Sequence, residues 1–320
     1  MDSLQRPLPE RDERPFFLCV SYHHPHEPFH VTQELWDFYE DAEIELPDYP
    51  DDMEPHTDAM DRMLNHFHGS YGANLDDRDL QYDLRRAYYG LVTYIDRKVG
   101  ELLAELDNCG LTEDTLVVFL SDHGDMLGER RMIQKRTFYE WSSRVPLIFA
   151  GGPWKAGRTV REPVSLVDIM PTLLDLVGVK MHSALPVDGS SLLPLLEGGS
   201  EPDRAIFSEL HAEGVHTTCV MVRQGDLKYI HTTGHPPQLY DLANDPDEWT
   251  NLAGDPAHAE DERRLAGLVA ASFDLEVIER DVMASLQRRQ TIKAAKDATG
   301  LPHWDHQPST DATRQYWRKS

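Results

Sequence analysis

Two short turns hold the side chains with the most chemical potential. Ser121-Asp122-His123-Gly124-Asp125 sets a carboxylate beside an imidazole, a donor pair that suits a divalent metal ion. Tyr22-His23-His24-Pro25-His26-Glu27-Pro28-Phe29 crowds histidines around a proline. The prolines hold that backbone out of helix and constrain the ring directions. One of these histidines could donate to an anion, or two could bind metal. Each turn also has a plainer alternative: a solvated bend, with Gly124 supplying backbone freedom in the first. Lys135 follows, then an aromatic and charged segment, then Arg144-Val145-Pro146-Leu147-Ile148.

The flanking residues predict what positions these turns. Residues 116–120 and 15–21 are short apolar runs ending in polar turns, which reads as buried strands of a parallel sheet. Ligands of such sheets sit outside the carboxyl ends of the strands, so Asp122, His123, Asp125 and the histidine turn are expected at the mouth of one crevice. Apolar residues from Leu84 to Leu106 recur at helical spacing, which predicts an amphipathic helix over 79–108 with Gly110 past its end. Residues 144–148 lead into a second buried strand. By contrast, residues 31–72 are acidic, proline-punctuated and without clear period, and are expected to be a solvated loop.

Asp168 and Pro171 mark a helix start. Strand-like segments at 205–210, 215–223 and 228–231, with the Gly225-Asp226 turn, predict an antiparallel meander. A helix is expected over 256–289. The tail, 291–320, is polar and tryptophan-bearing, and is expected to bury its aromatics against a second subunit.

At 320 residues, 40% hydrophobic and 27% charged, the chain can bury a large core. Its net charge of -25 argues against nucleic acid as a partner. Cys19, Cys109 and Cys219 are far apart and form no disulfide or zinc pattern, which points to a reducing cytoplasm. No apolar run is long enough to span a membrane.

Five segments, in order between residues 15 and 253, resemble the sulfatase branch of the alkaline phosphatase superfamily, and the choline sulfatase group most. They are PFFLCVSYHHPHEPF, YYGLVTYIDRKVGELLAEL, SDHGDMLGERRMIQKRTFYEWSSRVPLI, VSLVDIMPTLLDLVGV and QLYDLANDPDEWTNLA. The resemblance implies an α/β fold: a mixed, mostly parallel sheet sandwiched by helices, with a small C-terminal antiparallel sheet and helix. It divides residues 15–290 into part of a catalytic domain over 15–200 and a subdomain over 201–290; residues 1–14, charged and proline-punctuated, read as a connector, and 291–320 as the oligomer-forming tail. Asp122 and His123 match metal ligands for a divalent ion, Ca²⁺ first, with Mg²⁺ and Mn²⁺ also suited. Lys135 matches a sulfate-contacting lysine, and His26 a histidine that holds the sulfate or protonates the leaving oxygen. Glu213, or its rival Glu209, would face the quaternary ammonium of choline sulfate.

Members of the family also carry two early acidic metal ligands and a Cys-x-Pro/Ala-x-Arg signature whose cysteine becomes the formylglycine nucleophile. None of the three cysteines here stands in that pattern. The chain therefore resembles the C-terminal part of a sulfatase, and is expected to have little activity alone. Two alternatives accompany this expectation: a phosphonate or phosphate monoester hydrolase of the same superfamily, and a non-catalytic relative that acts in binding or assembly.

Overall fold

The structure, a computed structural model, describes residues 15–69, 74–152, 154, 157–180 and 187–299. Its helices are α1 (Gln33–Asp37), α2 (Ala59–His68), α3 (Arg78–Asn108), α4 (Glu140–Ser143), α5 (Ile169–Leu176), α6 (Leu193–Leu196), α7 (Ala259–Ser272) and α8 (Leu275–Thr299). Its strands are β1 (Val117–Leu120), β2 (Leu147–Ala150), β3 (Ala205–Leu210), β4 (Cys219–Gln224), β5 (Leu227–Thr232) and β6 (Gln238–Asp241).

The periodic segment folds as expected. Asp77 caps α3 by accepting from the backbone N–H groups of Asp79 and Leu80, and Gly110, at φ 66°, follows its end. Helix α1 lies along α3, where Arg86 stacks 4.4 Å from the Trp36 ring and Tyr39 meets Thr93 at 2.7 Å. Asp168 starts α5, its carboxylate accepting from Ser165 N–H and Ser190 N–H.

Strand direction departs from expectation. β1 and β2 pair antiparallel, Val117 with Ala150 and Leu120 with Leu147, and both sheets among the described residues are antiparallel. A parallel return needs a crossover, usually a helix, packed back on the sheet. Residues 121–146 instead leave the sheet and pack between α2 and the other sheet, and the chain re-enters at the end it left, with Leu147 beside Leu120. Residues 15–21 form no strand, and Phe17 is 82% exposed. No described strand lies beside them to take their backbone hydrogen bonds.

The meander is present as β3-β4-β5-β6, with the β4–β5 turn at Gly225-Asp226 and its second strand starting at Cys219 rather than 215. Both its faces are covered. Cys219, Met221, Ile230 and Tyr240 join Met60 and Leu64 of α2 and Met126, Met132, Phe138 and Tyr139 of the long loop. Val220, Val222, Tyr229 and Leu239 take Leu265 and Val269 of α7. Residues on both sides of position 200 thus share one core.

Two further expectations need correcting. The acidic stretch contains α2, which begins in a capping box between Asp58 and Asp61 and buries Met60 and Leu64. The helix expected over 256–289 is two helices. Phe273 turns extended, at φ -129° and ψ 128°, to set its ring against Phe207, centroids 5.4 Å apart. Residues 1–14 and 300–320, which hold the expected connector and most of the expected oligomer contact, lie outside the described residues.

Candidate active site

The site is built from the turn after β1, the histidine turn, and the loop of residues 126–139. Helix α3 backs the histidine turn: Phe29 packs edge-on against Tyr88 at 5.7 Å, and His24 against Tyr94 at 5.7 Å. His26 N–H closes the turn on His23 O at 3.1 Å. Gly124 fixes the other turn for a different reason from the expected one. A Cβ there would lie 2.1 Å from Trp141 O. The glycine therefore serves close approach, and its N–H donates to Ser142 O at 2.8 Å.

These supports bring His26, His123 and Lys135 together. Lys135 Nζ lies 2.5 Å from His26 Nε2, across 109 residues of sequence, and 3.1 Å from Glu27 Oε1. His26 Nδ1 lies 2.7 Å from Glu27 O. The ammonium can only donate, so Nε2 accepts from it and the ring proton sits on Nδ1 toward Glu27 O; the network assigns His26 as the neutral Nδ1–H tautomer. The His26 and His123 ring centroids are 5.7 Å apart. Burial works to raise the Glu27 carboxyl, but its backbone hydrogen bond and Lys135 outweigh it and hold it below the ordinary range.

Asp122 and His123 offer part of a cation site. His123 Nδ1 is 2.8 Å from Gly124 O, which leaves its Nε2 lone pair free, 3.9 Å from Asp122 Oδ2. A backbone carbonyl that fixes the tautomer is the usual support for a metal-binding imidazole. The donor types fit a divalent ion, and the Asp122 carboxylate is 85% exposed. Among the described residues no three His, Cys, Asp or Glu side chains converge on one point, so these two are a half-set. Asp125 braces the loop: its Oδ1 accepts from Leu127 N–H at 3.1 Å and Gln134 N–H at 3.2 Å. Burial pushes that carboxyl above the ordinary range.

The two glutamates expected to face an ammonium group already have partners. Glu213 Oε2 accepts from Arg136 Nε at 3.1 Å, and Glu209 Oε2 lies 2.8 Å from His211 Nε2. Arg136 places Glu213 on the rim beside Lys135, while no contact links Glu209 to the cluster. Three neighbours of these groups went unassigned in the sequence: Glu27, Arg136 and His68, whose Nε2 is 3.3 Å from Arg136. Arg136 had one available signal, its place directly after Lys135. His68 sits at the end of a helix hidden in an acidic stretch.

A sulfatase family model matches residues 1–179, and a model described as N-sulphoglucosamine sulphohydrolase, C-terminal, matches residues 128–271. A choline-sulfatase of Rhizobium meliloti (strain 1021) is 36% identical over 323 residues, covering 98% of this chain and 62% of its own length. The multifunctional alkaline phosphatase superfamily protein PehA of Trinickia caryophylli is 34% identical, over 79% of this chain and 54% of its own. Among solved structures, phosphonate monoester hydrolase SpPMH from Silicibacter pomeroyi superposes with a TM-score of 0.72 at 28% identity, covering 85% of this chain and 58% of that one. The chain thus spans between 54% and 62% of the length of the two curated relatives.

Proposed function

The chain belongs to the sulfatase family, and we propose that it carries the sulfate-gripping and leaving-group side of a sulfuric ester hydrolase site. The observation that supports this most is the meeting of Lys135 and His26 beside His123. A sulfuryl group in transfer is anionic, and preorganised cations and donors stabilise the charge that develops on it. Lys135 turns its ammonium from His26 to a sulfate oxygen. That frees His26 Nε2. Protonated there, with the Glu27 carboxylate 3.2 Å from Nδ1, the ring gives its proton to the departing alkoxide oxygen. Asp122 and His123 would hold a divalent ion, Ca²⁺ first, which supplies Lewis-acid charge neutralisation when bound.

The nucleophile is not among the three cysteines. None stands in the Cys-x-Pro/Ala-x-Arg signature, and burial pushes the Cys219 thiol up to about 12. The purified chain is therefore expected to bind sulfate without appreciable turnover of a sulfate ester. Calorimetric titration with sodium sulfate, against Lys135→Ala, tests the grip, and equal binding by the two proteins would sink it. Turnover of 4-nitrophenyl sulfate above the Lys135→Ala background would refute the inactivity.

A second reading, hydrolysis of a phosphonate monoester, is favoured by the likeness to the Silicibacter pomeroyi enzyme. Tighter binding of methylphosphonate than of methyl sulfate would select it. Choline sulfate as substrate requires Glu213 to leave Arg136 and face the ammonium. Association through residues 291–320 would appear as a dimer or larger species in sedimentation, lost on truncation at 290.

A further inference from the structure

Beside the Lys135 position lies a second cation that the proposed reaction leaves unused. Lys135 reaches to His26 and Glu27, whereas Arg136 reaches to α2 and to the turn after β3. Its Nε donates to Glu213 at 3.1 Å and its Nη1 meets His68 Nε2 at 3.3 Å. The guanidinium carbon sits 5.4 Å from the Phe67 ring centroid. Three supports thus prop one side chain, and Nη2 has no partner among the described residues. His68 supports Arg136 directly and lies within the field of Lys135. Burial and then the Arg136 charge hold its imidazole below the ordinary range, with Lys135 adding to the effect. It therefore stays neutral and accepts the Arg136 bond.

We propose that Arg136 is a specificity-determining residue that takes a second anionic group on the alcohol side of the ester. The favoured substrates are then esters carrying a second sulfate or a carboxylate. This rests on the sulfate-gripping reading of Lys135 and His26 and narrows its substrate class. A guanidinium is suited to a planar or multidentate anion, and here it is held in place before any ligand arrives. A quaternary ammonium at the same rim would meet Arg136, while the carboxylate that could balance it, Glu213, is already committed. Like charge at a recognition surface selects against the wrong ligand as effectively as contact selects for the right one.

The test titrates the full chain with methanesulfonate, ethanedisulfonate and choline sulfate, for wild type, Arg136→Gln, Glu213→Gln and Lys135→Ala. Near-ultraviolet circular dichroism serves as the check on folding. Ethanedisulfonate should bind about tenfold more tightly than methanesulfonate, the margin of one charged hydrogen-bonding contact. Arg136→Gln should erase that margin and leave methanesulfonate unchanged. The proposal is overturned if the margin survives Arg136→Gln, or if that variant weakens both sulfonates equally. Choline sulfate binding tighter than ethanedisulfonate, with the preference lost in Glu213→Gln, overturns it in favour of a cation subsite. If Lys135→Ala leaves methanesulfonate binding intact, or wild type binds no sulfonate, the underlying grip fails first and the second subsite with it.

Discussion

Lys228→Met asks whether buried charge holds the loop that presents Lys135. Lys228 lies on β5 with no exposed surface. Its Nζ donates to Phe138 O at 2.8 Å, Glu248 Oε1 at 2.8 Å and Glu140 Oε1 at 2.7 Å. Those three acceptors saturate an ammonium. Methionine keeps much of the volume but leaves the Glu248 carboxylate, 1% exposed, without its cation. Removing one member of a buried pair costs about 3–5 kcal/mol. The low end applies here. Glu248 keeps the bond from Glu140 N–H at 2.7 Å, and Glu140 keeps Arg223 at 2.9 Å. A loss of about 3 kcal/mol is expected in urea melts analysed by linear extrapolation.

The loss should depend on pH, and its sign follows from Glu248. Burial pushes that carboxyl above the ordinary range even with Lys228 beside it, and without Lys228 it moves further up. A carboxyl whose folded value exceeds its unfolded value contributes stability that is complete below the unfolded value and lost as pH rises through the folded one. The deficit of Lys228→Met should therefore be smaller at about pH 5 than at about pH 8. A deficit under about 1 kcal/mol, flat across that range, would refute the argument, because it would mean Glu248 is not a desolvated charge.

Other substitutions probe other links. Asp61, buried beside Asp58 and pushed up to about 8, should lose its contribution to stability as pH rises through about 8; Asp61→Asn should flatten that slope, by up to about 1.4 kcal/mol per pH unit. Glu27, held below the ordinary range, contributes stability present above its unfolded value and lost as pH falls through its folded one, so Glu27→Gln should flatten the acid limb of a stability profile. Gly124→Ala places a Cβ 2.1 Å from Trp141 O, and should cost about 1–3 kcal/mol as overpacking and weaken sulfate binding by moving His123. An unchanged melt and an unchanged sulfate titration for that variant would contradict the geometry.

What the sequence disclosed divides by range. Helix α3 was legible because its apolar period extends over 31 residues, and the meander because the Gly225-Asp226 turn joins strands directly. Helix α2 was hidden: ten residues is short, and its acidic cap merges into an acidic loop. The break at Phe273 was illegible because a contact with Phe207, far away in sequence, decides it. Strand direction is likewise set by where residues 121–146 pack, which no local pattern encodes. The site follows the same rule. Asp122 and His123 are neighbours on the chain, so the sequence exhibits them together. The histidine turn and Lys135 stood out by residue type, the roles of His26 and Lys135 came from resemblance, and the pairing of Arg136 with His68 had no local signature.

The backbone around Lys135 explains why so much distant burial serves one loop. Leu127, Arg130, Arg131, Gln134 and Arg136 all have positive φ, from 46° to 84°. Each costs a non-glycine residue about 1–2 kcal/mol, so this conformation would not persist in isolation. It is imposed from outside. Met126, Met132, Phe138 and Tyr139 are each at most 3% exposed in the shared core. Arg130 donates to Glu248 O at 2.8 Å and stacks between Tyr139 and Trp249, at 4.1 and 4.6 Å. Arg85 pairs with Glu129 from α3. Strain held against such contacts is typical of sites that need a fixed geometry. Lys135 and Arg136 are therefore displayed side by side because the core, and not their own backbone preference, decides where they stand. Core substitutions that never touch a ligand, Lys228→Met first among them, should then weaken sulfate binding together with stability, whereas Arg136→Gln should alter selectivity alone.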